Sequence, residues 1–126
     1  MANISVCIDV PEMDKAIKFY TEALGFKLVD KKEQYSELTS DGLKIYLSEY
    51  AAGTNPLVVG KDVRNYERHW TPVHIDINVP DIGKSLSLIE ELGGVKEGEK
   101  NGEWGTIAFC ADPFGNGFCV IQYDSQ

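Results

Sequence analysis

Apolar and polar residues alternate with a period of two from Ile4 to Val10, the pattern of a strand with one face on a core. After Pro11 the apolar positions change to helical spacing, which predicts a helix from about Met13 to Leu24 that ends at Gly25. Three short strands follow, separated by turn-like polar residues, and the first 50 residues therefore predict a βαβββ unit. These strands are Phe26 to Val29, Tyr35 to Leu38 and Leu43 to Tyr50.

The same plan returns in the second half of the chain. A strand is predicted at Val73 to Val79, followed by a helix that Asp81 can N-cap and that Gly93 and Gly94 close. Strands are then expected around 95–98, 105–111 and 117–123, and DPFGN at 112–116 is a turn. Identical residues recur 69 positions apart, which indicates an internal repeat. They are Val10 and Val79, Pro11 and Pro80, Lys15 and Lys84, Glu22 and Glu91, Gly25 and Gly94, and Lys27 and Lys96.

The duplication predicts an α+β protein built from two tandem βαβββ modules. A chain of 126 residues with 43% hydrophobic content is about the modal size of one domain, so we expect a single domain over residues 1–126. The first module covers 1–50, a linker covers 51–70 and the second module covers 71–126.

The linker from Ala51 to Trp70 belongs to neither copy. It opens with the loop-forming residues AAGTNP and then gathers basic and aromatic residues in KDVRNYERHW. Such a segment is either a connector with a solvated, charged face or a basic, aromatic lid over a pocket.

Charge and composition exclude several classes of partner. A net charge of −8 argues against nucleic acid or an anionic membrane and favours a neutral or cationic small ligand. No apolar run is long enough to span a bilayer, and no secretory signal pattern is present. The three cysteines, Cys7, Cys110 and Cys119, are odd in number and lack C-x-x-C spacing, which suits free thiols in the cytoplasm.

An ordered set of motifs resembles a known superfamily. The set contains two VP-x-x-x-K-[AS]-[IL] strand-to-helix junctions, FYTEALGF at 19–26, WGTIAF at 104–109, and DPFGN before the last strand. On a duplicated βαβββ frame it resembles the vicinal oxygen chelate superfamily of glyoxalase, bleomycin-resistance and dioxygenase proteins. The resemblance implies curled mixed sheets around a shared cleft, and a homodimer whose chains both supply cleft walls.

Metalloenzymes of that superfamily place ligands on the first and last strands of each module. The resemblance assigns Ser5 and His74 to the first-strand positions, and Tyr46 and Cys119 to the last-strand positions. Only His74 matches the His, Gln or Glu usual there, and hydroxyl groups are poor ligands at neutral pH, so we expect no metal and no cofactor. A cluster of His74, Asp76 and Cys119 would suit zinc if those groups converge.

Two residues carry alternative interpretations. His74 is either a general base or a hydrogen-bonded histidine that remains from a metal-binding plan. Cys119 is either a packed thiol or a nucleophile paired with His74. The predicted ligand-binding set is Ser5, Cys7, Tyr46, His74, Asp76, Trp104 and Cys119, with His74 as the one candidate catalytic residue.

Aromatic residues are expected at the rim of the cleft, where they suit a flat organic ligand and, through cation-π contacts, a cationic one. The leading hypothesis is therefore a protein that binds a small organic molecule without a metal. One alternative is a metal-dependent or His-assisted lyase, isomerase or dioxygenase, and another is a dimeric interaction module with an empty cleft. The aromatic residues are Tyr46, Tyr66, Trp70, Trp104 and Phe114.

Overall fold

The computed structural model describes residues 3–124 and confirms the duplicated architecture. The first module contains β1 (Val6–Val10), α1 (Met13–Lys18), a π-helical turn (Phe19–Ala23), β2 (Lys27–Lys31), β3 (Tyr35–Ser40) and β4 (Leu43–Glu49). The second contains β5 (Ile75–Asn78), α2 (Ile82–Glu91), β6 (Val95–Gly102), β7 (Gly105–Ala111) and β8 (Gly117–Tyr123).

Each module forms its own four-stranded mixed sheet, in the order β1-β4-β3-β2 and β5-β8-β7-β6. The first strand lies parallel to the last, and the other pairs are antiparallel. The register pairs Cys7 with Tyr46 in one sheet and Asp76 with Cys119 in the other. Because side chains alternate across a sheet, these pairs lie on the face opposite the core, which we call the helix-free face.

One hydrophobic core joins the two modules. The helix-facing residues of both sheets and of both helices belong to the same buried cluster, and the rings of Phe19 and Phe118 meet edge to face across the modules at 6.0 Å. Packing of this kind is the dominant favourable term in folding. The cluster includes Val10, Leu38, Ile45, Leu47, Ile89, Ala108 and Val120.

The first helix differs from its prediction. A single helix from Met13 to Leu24 was expected, but α1 ends at Lys18 and continues as the π-helical turn. The wider turn buries both Phe19 and Tyr20, which regular helical spacing would place 100° apart. Asp81 N-caps α2 by accepting from the amide of Lys84, as predicted. Among residues 3–124 no helix has the length and apolarity to cross a bilayer.

Strand limits also shift. The first strands begin later than their alternating patterns, because Ile4 and Val73 are 83% and 87% exposed and no strand pairs with them. Strand β6 runs beyond its predicted end at Gly98, because it pairs with β7 as far as Gly102.

A buried carboxylate links the modules. Asp112 is 2% exposed and accepts four hydrogen bonds, from the Tyr20 hydroxyl at 2.7 Å, the amides of Phe114 and Asn116, and the Asn116 side chain. The Asn116 Nδ2 group also donates to the carbonyl of Asp9 on β1 at 3.0 Å. Burial, followed by the charge of Asp112, raises the pKa of Tyr20 well above its ordinary value, so Tyr20 stays a hydrogen-bond donor.

We expect Tyr20→Phe to lower the free energy of unfolding by about 1–3 kcal/mol, because Asp112 then lacks one donor in a buried site. Urea denaturation monitored by circular dichroism measures this loss. Tyr46→Phe is the matched control, since the Tyr46 hydroxyl lies 3.5 Å from Glu37 in a partly exposed position. Equal stability of Tyr20→Phe and the wild type would contradict a supporting role for this hydrogen bond.

Candidate functional site

A cavity of about 420 Å³ lies between the first strands of the two modules. Alternate residues of β1 and β5 line it from both sides, with Val6 and Ile8 opposite Ile75 and Ile77. These four side chains face the core but are only partly buried. The cavity is therefore a gap in the core between modules, and its volume lies within the range of roughly 300–1,000 Å³ typical of small-molecule pockets.

Aromatic side chains form the apolar part of the cavity. Tyr20 and Phe26 come from the first module, and Phe114 and Phe118 come from the second. The π-helical turn positions Tyr20, and the DPFGN turn positions Phe114. Aromatic rings from both modules therefore surround one space, as binding of a flat apolar group requires.

The polar part of the cavity comes mainly from the linker and the start of β5. Both histidines of the chain, His69 and His74, line it, together with Glu67. On the opposite side, Asp9 is occupied by an ion pair with Arg64 at 2.8 Å. No Lys or Arg is found among the described residues that line the cavity.

The linker covers one side of this cavity. Its lining residues include Asn65, Tyr66, Glu67 and His69, and Thr71 and Val73 follow before β5. Of the two alternatives for this segment, the geometry favours a lid over a solvated connector. Its arginines are held in ion pairs, Arg64 with the cavity residue Asp9 and Arg68 with Glu97, and neither arginine is among the described residues that line the cavity.

The structure brings together three donor groups around β5 and β8. Nitrogen, oxygen and sulfur ligand atoms of His74, Asp76 and Cys119 all lie within 4.8 Å of one another. The Nδ1 atom of His74 is 3.1 Å from the Asp76 carboxylate, yet this buried atom makes no well-aligned hydrogen bond. Trp70 packs on the His74 ring, with the centroids 5.1 Å apart.

The environment of Cys119 favours the neutral thiol. Burial, followed by the charge of Asp76 and a hydrogen bond to it, raises the pKa of Cys119 to about 11. The nearby Cys110 is also held protonated, with its pKa raised by burial to about 12. Neutral thiols are poor nucleophiles, so the geometry does not favour a His74/Cys119 catalytic pair.

The four positions of the superfamily's metal ligands do not fit a metal ion in this chain. Ser5 is exposed, and Tyr46 offers a hydroxyl that faces Glu37. The tetrahedral set that zinc prefers needs deprotonated nitrogen, oxygen or sulfur donors. His74 and Cys119 supply only two such groups at these positions, one imidazole and one thiol. Asp76 adds a third group from outside the four positions, so the best available set lies wholly in the second module.

The predicted ligand-binding residues fall into three groups. Cys7 and His74 are among the residues that border the cavity, and the Cys7 side chain itself lies on the helix-free face against Ser48. Tyr46, Asp76 and Cys119 lie on the helix-free faces. Trp104 packs against Tyr123 at the β6–β7 turn, and Ser5 precedes β1, so neither is among the residues that line the cavity.

Sequence reasoning missed the cavity-lining residues Tyr20, Phe26, Phe118, Glu67 and His69. Helical spacing correctly placed Tyr20 on the core side, but it gave no sign that the core is incomplete there, and no face was predicted for Phe26 or Phe118. Glu67 and His69 lie in a segment without periodicity, and only the lid alternative pointed to them.

A family model described as a glyoxalase-like domain matches residues 5–121. The chain belongs to this glyoxalase-like family. This confirms the resemblance to the vicinal oxygen chelate superfamily. A probable lactoylglutathione lyase of Vibrio cholerae is 31% identical over 116 residues, which are 90% of this chain and 84% of that protein. A probable chloroplastic lactoylglutathione lyase of Arabidopsis thaliana is 31% identical over 94% of this chain, which spans only 35% of the plant protein.

Solved structures support the glyoxalase fold. The genomically encoded fosfomycin resistance protein of Listeria monocytogenes superposes with a TM-score of 0.73 at 15% identity, over 98% of this chain and 94% of that one. A lactoylglutathione lyase from Agrobacterium tumefaciens gives a TM-score of 0.66 at 16% identity, over 96% and 92% of the two chains. At these identities the likeness concerns the fold alone.

We expect iodoacetamide at neutral pH to label Cys7 before Cys119 and Cys110. Cys7 is exposed, whereas the other two thiols are buried and have raised pKa values. Mass spectrometry of timed samples measures the three rates. The Cys119 rate should increase as the pH rises toward 11, because the thiolate is the reactive form. Fast labelling of Cys119 at pH 7 would instead indicate an activated nucleophile.

Proposed function

We propose that this glyoxalase-like protein binds a small organic molecule in the cavity between its modules, and that it does so without a metal ion. The observation that carries the proposal is the cavity itself, with aromatic residues from both modules on its apolar side and the two histidines on its polar side. Concave sites with few, well-placed polar groups are typical of small-molecule binding.

The charge of the cavity favours a neutral or cationic ligand. Glu67 contributes an acidic group, and no Lys or Arg among the described lining residues is available to pair with an anion. The net charge of −8 adds a diffuse attraction for cations. A glutathione conjugate carries carboxylates, so the cavity lining is poorly matched to the lactoylglutathione in the names of the lyase relatives.

The ligand contacts that we propose are Cys7 and His74 within the cavity. The His74 ring contacts the Asp76 carboxylate and the Trp70 ring, and the Cys119 sulfur lies within 4.8 Å of a His74 nitrogen. Ser5, Tyr46 and Trp104 remain proposed contacts for a ligand that extends onto the helix-free faces.

A second candidate is a metal-dependent lyase of the same superfamily. It is favoured by the convergence of His74, Asp76 and Cys119 and by the names of the relatives. The lyase requires activity that disappears in His74→Ala, whereas binding alone requires only an altered affinity. The third alternative, an interaction module with an empty cleft, requires that no compound in a broad panel stabilises the protein.

We expect a flat aromatic ligand to raise the melting temperature equally before and after EDTA treatment. The panel compares proflavine, which is cationic, with neutral acridine and anionic acridine-9-carboxylate. Proflavine and acridine should stabilise the protein more than the carboxylate does, because the cavity wall lacks a cation. Elemental analysis of protein purified without chelators should find no stoichiometric metal.

Ligand placement is tested with Ile77→Phe, which fills the cavity, and with the control Leu57→Phe at an exposed linker position that is not among the cavity-lining residues. Only Ile77→Phe should abolish the thermal shift. One tightly bound ion per chain, lost in both His74→Ala and Cys119→Ala, would overturn the metal-free proposal and favour the lyase.

We also propose that the protein forms a homodimer. Edge strand β2 exposes Leu28 and Val29, and edge strand β6 exposes Val95. Such apolar residues on unpaired edges are suited to burial by a second copy. The three free cysteines support our further proposal of a cytoplasmic location.

Light scattering at increasing protein concentration should give about twice the mass of one chain. A Val29→Lys variant is expected to shift the equilibrium toward monomer, because it places a charge on the proposed interface. A monomeric mass at all concentrations would contradict the dimer and would confine the ligand site to one chain.

A further inference from the structure

Residues 64–74, which we call the strap, pass from the first module to the second along the cavity. The strap contains no helix and no strand. A segment without its own backbone hydrogen-bond ladder is held in place by side-chain contacts, so the anchors of the strap decide how firmly it covers the cavity.

The first anchor is Arg64. Its Nε donates to Asp9 at 2.8 Å, and its guanidinium lies 3.7 Å from the centre of the Tyr50 ring. The backbone of Arg64 also exchanges two 2.8 Å hydrogen bonds with Gly53 and Thr54. The Arg64 side chain is only 13% exposed, so this end is fixed by charge, aromatic packing and backbone together.

The second anchor is Arg68. Its Nε and Nη2 atoms bind the two carboxylate oxygens of Glu97 on β6 at 2.7 and 2.9 Å. The two side chains are 24% and 31% exposed, against 13% and 38% for Arg64 and Asp9, so water reaches both ion pairs and the difference between the anchors lies in the other contacts of Arg64. Among the described residues, no backbone–backbone hydrogen bond outside the helices and strands involves Arg68, whereas two involve Arg64. The second anchor therefore depends on side-chain contacts.

The strap also fits closely against the second module. A Cβ atom added at Gly117 would lie 2.7 Å from Arg68 Nη2, and one added at Gly115 would lie 2.7 Å from the Tyr66 carbonyl. Two glycines therefore leave room for the strap to pass. A side chain at Gly115 would collide with the backbone of the strap, and one at Gly117 would displace the Arg68 guanidinium.

Two polar residues that line the cavity belong to the strap. Glu67 and His69 line the cavity on either side of Arg68. Within residues 3–124 no hydrogen bond or ion pair engages the Glu67 carboxylate. Movement of the Arg68 end would therefore open the cavity and withdraw its acidic group at the same time.

We propose that the strap is a hinged lid, held permanently at Arg64 and released at the Arg68–Glu97 ion pair to admit a ligand. The proposal rests on the proposed function only for what enters the cavity. Because binding and closure are linked, a ligand that contacts Glu67 or His69 stabilises the closed strap, and a weaker second anchor lowers the apparent affinity.

Trypsin provides a direct test, since it cleaves after Arg68 only when that side chain leaves Glu97. We expect Glu97→Gln to speed cleavage of the Arg68–His69 bond about 1.5–5-fold, the range that corresponds to loss of an ion pair of this exposure. Glu99→Gln is the matched control, because Glu99 lies on the same strand and pairs with Lys96 at 2.7 Å without touching the strap. Cleavage after Lys61, in the same linker, is the internal reference.

Salt gives a second readout. Raising the ionic strength should speed cleavage after Arg68 in the wild type and in Glu99→Gln, but not in Glu97→Gln. Equal cleavage rates in the two variants, measured where their urea midpoints agree, would overturn the hinged lid.

Proflavine separates this inference from the proposed function. Protection of the Arg68–His69 bond by proflavine supports the lid. If proflavine raises the melting temperature but gives no protection, the lid is wrong although the cavity binds. If proflavine does not bind at all, the proposed function fails, while the comparison of Glu97→Gln with Glu99→Gln still decides how the strap is held.

Discussion

The buried carboxylate of Asp112 fixes how the two modules meet. A charge in a low-dielectric interior is tolerated only when hydrogen-bond donors surround it, and here the donors come from both modules. Tyr20 reaches it from the first module, while Asn116 bonds the carboxylate and the carbonyl of Asp9 together. Sliding of one module against the other would leave this charge unpaired. The spacing of β1 from β5, and with it the cavity, therefore depends on Asp112.

The repeat made most of the fold predictable, because each copy constrains the interpretation of the other. The alternating pattern correctly placed Ile8 and Ile77 on the core side of their strands. It could not show that these residues face each other across a gap, since a period of two fixes the face of a strand but not the distance between two sheets. The π-helical turn was missed for a related reason: burying Phe19 and Tyr20 together is a tertiary demand that overrides local helical spacing.

Divergence between the two copies explains the chemistry of the site. Cys7 and Tyr46 form one register pair, and Asp76 and Cys119 form the equivalent pair. In the second copy, burial and then the carboxylate of Asp76 raise the pKa of the Cys119 thiol, so the thiol is a poor nucleophile at neutral pH. In the first copy the equivalent side chains are the thiol of Cys7 and the hydroxyl of Tyr46, and a hydroxyl is a poor metal ligand at neutral pH. The two copies thus share the geometry of a cleft, while the one cluster of convergent donor groups found among residues 3–124 lies in the second copy.

The strap breaks the symmetry of the two modules, and the sequence contains a signal for it. When the last strands are aligned, Gly117 in the second copy takes the place of Lys44 in the first, where a long side chain lies exposed beside Glu37. A side chain at Gly117 would collide with the Arg68 guanidinium in its present position. A glycine in the middle of a strand pattern weakens the strand and commonly marks close approach of another group. The strap therefore passes where the second copy has a glycine in place of the lysine of the first, and this difference makes room for one wall of the cavity.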